Sequence, residues 1–246
     1  MEIIYGRNPV YETLRANRRD IQRLIIAQGV QANDRLDKIL QLSKSQKIPV
    51  EHVSRPRLDS MVDGHQGVVL QTGRYRYSSY DEILENAAAQ DQPPFILLLD
   101  TLQDPQNLGT LLRTGEAVGI HGVILPPRRS ASVTPAVVNA SSGASEHLLI
   151  AQANLAQSIT RLKKEDVWVI GLDSKSGALQ PDQLQLTGPL ALVVGNEAHG
   201  MRQLVRKSCD QLMNLPITGK IDSLNAAVAG SIALYLAMFS RAELDK

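Results

Sequence analysis

Three stretches of the chain combine polar side chains and glycines in ways that suit chemistry at loop ends. The first, DTLQDPQNLGTLLR (100–113), sets Asn107 six residues before Arg113. An amide both donates and accepts hydrogen bonds, and a guanidinium offers a planar fork to a phosphate or a developing oxyanion. On a helix the two lie roughly 240° apart around the axis, with Asn107 placed to cap it. The second, GNEAHG (195–200), follows an apolar run. Its outer glycines, Gly195 and Gly200, have the spacing of the dinucleotide fingerprint, but Glu197 stands where the middle glycine belongs and would block a pyrophosphate. A Gly-Lys-Ser/Thr run is absent, which excludes a P-loop. The loop suits an uncharged or cationic adenosine ligand better than a diphosphate. The third, LPITGKIDSLN (215–225), leads into a helix rich in small residues, with Ser223 as its cap and Asn225 in its first turn. Each stretch alone also admits a plainer reading: a capped helix with an exposed arginine, a tight turn, and core helix packing.

The elements around these stretches alternate. Apolar strands are expected at Phe95 to Asp100, Gly122 to Leu125, Val167 to Leu172, Leu190 to Val194 and Gln211 to Leu215. Helices are expected between them, at Leu108 to Val118, Ala153 to Lys163, Met201 to Lys207 and Leu224 to Arg241. Continuous apolar strands followed by helices predict a mostly parallel α/β sheet, and ligands bind beyond the carboxyl ends of such strands. The three polar stretches follow expected strands. Ahead of them, residues 1–73 read as a small α/β module, with strands at Arg23 to Ala27, Pro49 to Val53 and Gly67 to Gln71 and helices at Asn8 to Arg15 and Asp34 to Leu42. Residues 74–93 read as a linker carrying one short helix, Asp81 to Ala89, and residues 94–246 form the second module.

Charge separates the two modules. Residues 1–80 hold 13 Lys+Arg against 8 Asp+Glu, or +5; the remaining residues hold 13 against 17, or −4, which sums to the chain's +1. A basic front module suits phosphates. Its candidates for RNA contact are Arg7, Asn8, Arg55, Arg57, His65 and Gln66, with Arg128 and Arg129 in the second module. Aromatic residues make up only 4%, so recognition through stacked aromatics is disfavoured. The single Cys209 excludes an internal disulfide framework and a cysteine-built zinc site, and fits a reducing cytoplasm. The start Met1-Glu2-Ile3 resembles no signal peptide, and no apolar run reaches the ~20 residues of a membrane helix.

Together, Asn107 with Arg113, Gly195 to Gly200, and Leu215-Pro216-Ile217 with Ser223-Leu224-Asn225 resemble the three motifs of the SpoU family, RNA ribose 2′-O-methyltransferases that use S-adenosylmethionine. Tyr5 to Val10 and Gly64 to Val68 resemble the opening and a loop of an L30e-like substrate-binding domain, as in the subgroup that methylates a guanosine ribose of large-subunit ribosomal RNA. The resemblance implies a trefoil-knotted catalytic domain, a homodimer packed through the knot region, an RNA partner and neither metal nor membrane. It implies that Gly195, Asn196, Gly200, Leu215, Ile217 and Leu224 hold S-adenosylmethionine, with Leu172 beside the adenine. It further implies a catalytic set of Asn107, Arg113, Glu197, Ser223 and Asn225. A nicotinamide-dependent oxidoreductase, which alternating α/β text alone permits, is disfavoured by Glu197 and by the lack of a suitably placed acidic residue.

Overall fold

The computed structural model describes residues 1–174, 177–196 and 198–242. Contacts group them into two compact units, Met1–Arg76 with Ser132–His147, and Tyr77–Ala131 with the chain from Leu148 onward. The first unit begins with β1 (Glu2–Tyr5), α1 (Arg7–Ala16), β2 (Ile21–Ala27), α2 (Asp34–Ser45), β3 (Val50–Val53), α3 (Arg55–Asp59) and β4 (Val68–Thr72). The second opens with α4 (Tyr80–Ala89), β5 (Phe95–Leu99), α5 (Pro105–Ala117) and β6 (Gly122–Leu125). The chain then supplies α6 (Pro135–Ala140) to the first unit. It completes the second with β7 (Ile150–Gln152), α7 (Leu155–Lys164), β8 (Trp168–Leu172), β9 (Leu190–Val194), α8 (Gln203–Ser208), β10 (Gln211–Met213) and α9 (Ala226–Ala242).

In the first unit the strand order is β1-β4-β2-β3, with β2 and β3 parallel and the other pairs antiparallel. Asn33 starts α2 by accepting a hydrogen bond from the Leu36 amide at 3.0 Å. The segment Ser132–His147 joins this unit through a buried ion pair. Arg19, its side chain 1% exposed, donates from Nε and Nη2 to the two carboxylate oxygens of Glu146, each at 2.8 Å, and from Nη1 to Glu2 at 2.5 Å. Tyr75 covers the guanidinium, its ring centroid 5.2 Å from Cζ. His147 and Glu12 add a second link at 2.8 Å.

The second unit is built on a sheet of order β10-β8-β9-β5-β6-β7, in which every neighbouring pair is parallel. Its central strands read FILLL and LALVV and are buried along their whole lengths, because helices cover both faces. Leu97 is paired with Leu192 and Leu99 with Val194. The expected linker helix is α4, started by a capping box in which Ser79 accepts from the Glu82 amide and Glu82 accepts from the Ser79 amide. Cys209 lies between α8 and β10, half-buried; burial and then the Asp210 carboxylate push its thiol up to about 12, so it stays protonated near neutrality.

His121 closes the turn from α5 into β6. Its Nδ1 accepts from the Phe95 amide at 2.9 Å, so Nε2 carries the proton and faces Gln92 Oε1 at 3.1 Å. Burial, reinforced by the charge of Arg241, holds its pKa below the ordinary imidazole value. The unfolded chain therefore takes up a proton before the folded one does. This contribution to stability is present above about pH 6.5 and declines as pH falls toward the folded-state value, by at most about 1.4 kcal/mol per pH unit. Urea midpoints measured at pH 7.5 and 5.5 should differ less in His121→Gln than in the unmodified protein; equal differences would remove His121 as the source.

Candidate active site

The site is built where β5, β9 and β10 end. Thr101, two residues after β5, has a left-handed φ of +60° and turns its carbonyl toward Asn196, whose Nδ2 donates to it at 3.1 Å. The glycine stretch after β9 folds back on itself: Asn196 and Gly200 exchange backbone hydrogen bonds of 3.0 and 2.9 Å. Asn196 Oδ1 accepts from the Ala198 and His199 amides at 2.9 and 3.3 Å, closing the turn from inside. A Cβ on Gly195 would lie 2.4 Å from the Gly200 carbonyl carbon and from the Met201 nitrogen, so only glycine permits this close approach. Glu197 lies outside the described residues.

α5 and α9 bring the first and third stretches together. Asn225 Oδ1 accepts from the Ala227 and Val228 amides at 2.9 and 3.2 Å, which makes Asn225 the cap of α9. Those two donors fix the amide's orientation, so Nδ2 is left to donate, and it does so to Asn107 Oδ1 at 3.1 Å. Further along, Thr114 and Ser231 hydroxyls meet at 2.9 Å. Gly230 sits where a Cβ would come within 2.5 Å of Leu111 and 3.0 Å of Val194, so the small-residue run lets α9 lie directly on α5 and β9. Arg113 is exposed on α5, six residues beyond Asn107.

Two capping assignments made from the sequence are corrected. α5 is capped by Asp104, which accepts from the Gln106 amide at 3.0 Å ahead of Pro105, and Asn107 sits inside the helix. Asn225, not Ser223, caps α9, and Ser223 is exposed in the preceding loop. Both corrections turn the asparagines toward one another.

Leu172, Leu215, Ile217 and Leu224 are each half-buried, at or beyond the carboxyl ends of β8 and β10 and just ahead of α9. Leu172 lies opposite Met213 in the pairing of β8 with β10. All four are partly open apolar side chains beside loop backbone, a lining of the kind that small-molecule sites use.

Among the basic-module candidates, Arg7, Arg55 and Gln66 line one pocket of about 460 Å³ together with Gln28, Val30 and Gln31. Arg7 is held there by Nε donating to the Gln66 carbonyl at 3.3 Å and Nη2 donating to the Gln31 carbonyl at 2.7 Å. Asn8 is exposed in the first turn of α1. His65 is 4% exposed, its Nδ1 accepting from the Gly67 amide at 2.8 Å and its Nε2 facing Asp59 at 2.7 Å. Of contact with RNA and support of its own loop, that geometry favours the second. Two polar groups of the site escaped the sequence reading. Asp100, 0% exposed, accepts from Arg202 through both its amide and Nε, each at 2.7 Å. A lone carboxylate closing an otherwise apolar run at a strand's carboxyl end is the signal that marks it.

Comparison with known proteins gives this arrangement a class. Residues 94–235 match the model of the SpoU rRNA Methylase family, and residues 3–78 match that of RNA 2′-O ribose methyltransferase substrate binding. A protein of Bacillus subtilis (strain 168) that bears the name of a TrmH family tRNA/rRNA methyltransferase is 40% identical over 238 residues, 95% of this chain and 94% of its own. The crystal structure of the SpoU methyltransferase AviRb from Streptomyces viridochromogenes superposes with a TM-score of 0.81 at 21% identity, covering 98% of this chain and 90% of that one. An AdoMet-bound rRNA methyltransferase from Sinorhizobium meliloti superposes with a TM-score of 0.76 at 24% identity, covering 96% and 86%. The fold and the relatives define an RNA methyltransferase. The chain belongs to the SpoU rRNA Methylase family, whose methyl donor is S-adenosylmethionine. Among the described residues no helix is long and apolar enough to cross a membrane.

Proposed function

We propose that the protein methylates a ribose 2′-hydroxyl of RNA, and that its substrate is a guanosine of large-subunit ribosomal RNA in the cytoplasm. The observation that carries this reading is the Asn225–Asn107 hydrogen bond, which ties the loop holding the cofactor contacts to the helix bearing Arg113. S-Adenosylmethionine supplies a methyl group on a sulfonium, ready for in-line displacement. Leu172, Leu215, Ile217 and Leu224 receive its adenosine, and the backbone of Gly195, Asn196 and Gly200 borders it.

A ribose hydroxyl is a poor nucleophile until its proton leaves or its developing charge is stabilised. Arg113 cannot serve as the base, because a guanidinium does not deprotonate near neutrality. It instead grips the adjacent phosphate and stabilises the forming alkoxide, and the proton passes to that phosphate or to water. Asn107 orients the ribose, and Asn225 fixes the Asn107 amide. Ser223 contacts the substrate from the loop, and Glu197 steadies Arg113 or the Asn107 helix.

The basic module supplies the RNA contacts. Arg55 on the pocket rim bonds phosphate, Arg7, Asn8 and Gln66 bond phosphate and sugar, and His65 holds the loop that presents Gln66. Arg55→Ala should weaken binding to related and unrelated RNAs alike and lower the salt-dependence slope by about one. A loss confined to one RNA sequence would make Arg55 a base reader instead. The catalytic unit is proposed to pair with a second copy. Val228, Ile232, Tyr235 and Phe239 form one exposed apolar stripe on α9, which supports that reading.

The test is transfer of labelled methyl from S-adenosylmethionine to large-subunit ribosomal RNA and, separately, to transfer RNA. Label recovered from ribosomal RNA as an alkali-resistant dinucleotide supports both ribose chemistry and substrate. Transfer to transfer RNA alone would overturn the substrate, and no transfer to either would leave an RNA-binding protein without catalysis.

A further inference from the structure

We infer that Asp100 and Arg202 are positioning residues for the cofactor loop: a clamp at the end of β5 that holds the 195–202 stretch in its folded-back shape. This rests on the reading of that stretch as the border of the S-adenosylmethionine site.

The clamp has two arms on adjacent residues. Asp100 Oδ2 accepts from the Arg202 amide and Oδ1 from Arg202 Nε, both at 2.7 Å, which fixes the outgoing end of the stretch. Thr101, in its left-handed conformation, offers its carbonyl to Asn196 Nδ2 at 3.1 Å, which fixes the incoming end. Asp100 is further tied to the sheet, its amide donating to the Val194 carbonyl at 2.8 Å. One strand end therefore sets the positions of both Asn196 and Arg202. Between those points Asn196 and Gly200 exchange two backbone bonds, and Asn196 Oδ1 accepts from the Ala198 and His199 amides.

Burial makes the first arm strong. Asp100 is 0% exposed, whereas the Arg202 side chain remains 48% exposed. The carboxylate has given up water and is satisfied by this loop, so the loop's departure would strand a buried charge. A loop held by one buried carboxylate has a preferred shape before any ligand arrives, and preorganisation lowers the ordering cost of binding. Arg202 thus acts through the loop and has no need to touch the ligand.

The experiment measures S-adenosylmethionine affinity of the full chain by calorimetry, together with amide exchange at Asn196 and Gly200. Arg202→Ala should weaken affinity about tenfold, the scale of a charge-assisted hydrogen bond, and speed exchange at both amides. Asp100→Asn should do at least as much, and the double variant no more than Asp100→Asn alone, because both remove one interaction. With saturating S-adenosylmethionine, kcat should return toward that of the unmodified protein while KM for the cofactor stays raised. Affinity and exchange both unaltered in Arg202→Ala would overturn the clamp, and that variant decides the matter if Asp100→Asn does not fold. If the unmodified protein takes up no S-adenosylmethionine, the functional reading fails, and the exchange rates still judge the clamp.

Discussion

Arg113→Ala should lower methyl transfer by about a hundredfold to a thousandfold, the range seen when a donor to a developing oxyanion is removed, with the melting temperature unchanged. Arg113 is exposed on α5, and the buried face of that helix is carried by Leu108, Leu111 and Leu112. Its substitution therefore costs little packing. Lysine keeps the charge but not the planar fork that meets a phosphate through two parallel bonds. Arg113→Lys should accordingly recover only a small part of the activity. Near-full activity in the lysine variant would mean that point charge alone suffices and that the fork is not what the reaction uses. Equal loss of cofactor affinity and of turnover would relocate Arg113 from the reacting oxygen to the cofactor.

Glu146→Ala should be strongly destabilising. It leaves the guanidinium of Arg19, 1% exposed, with Glu2 as its remaining carboxylate partner, and removes both 2.8 Å bonds. Breaking one side of a buried pair costs about 3–5 kcal/mol when the charge left behind has no other partner, and Glu2 holds the loss to the lower end of that range. Domains have only about 5–15 kcal/mol in total. Urea unfolding followed by the signals of the two units should show the first unit losing stability first. Replacing Arg19 and Glu146 together by apolar residues of similar volume should cost much less than either single change. If Glu146→Ala unfolds with an unchanged midpoint, water reaches Arg19 and the pair is not sealed.

The parallel sheet is legible because FILLL and LALVV have no polar face, and a strand without one must be covered on both sides. The turns after β5 and β9 are legible because each follows such a strand. What local text does not encode is which of two cap-forming residues wins. Ser223 and Asn225 are both good cap types, and Asp104 and Asn107 both precede helical text. The Asp-Pro step decides for Asp104 on local grounds, since proline suits the first helical position. For Asn225 the decision is tertiary: its amide satisfies α9 with the oxygen and reaches Asn107 with the nitrogen. His65 presents the same limit. Its type and its basic neighbours suggest RNA, and only the fold shows both ring nitrogens committed to Asp59 and Gly67. The membership of Ser132–His147 in the first unit is illegible for a further reason. It depends on Arg19 meeting Glu146, 127 positions apart in sequence, and no periodicity spans that distance.

That discontinuity gives the molecule a schedule. Synthesis proceeds from the amino end at about 5–20 residues per second, and domains tend to fold as they emerge. The first unit cannot complete itself in that order. When Arg76 leaves the ribosome, Arg19 has no Glu146 to meet, and the missing segment is still more than fifty codons away. The amino-terminal sheet has all four strands by then but must wait for α6 and Glu146 while β5, α5 and β6 are made. A basic, unfinished module thus stays beside the ribosome for several seconds of translation, and it closes only when the first strands of the parallel sheet already exist.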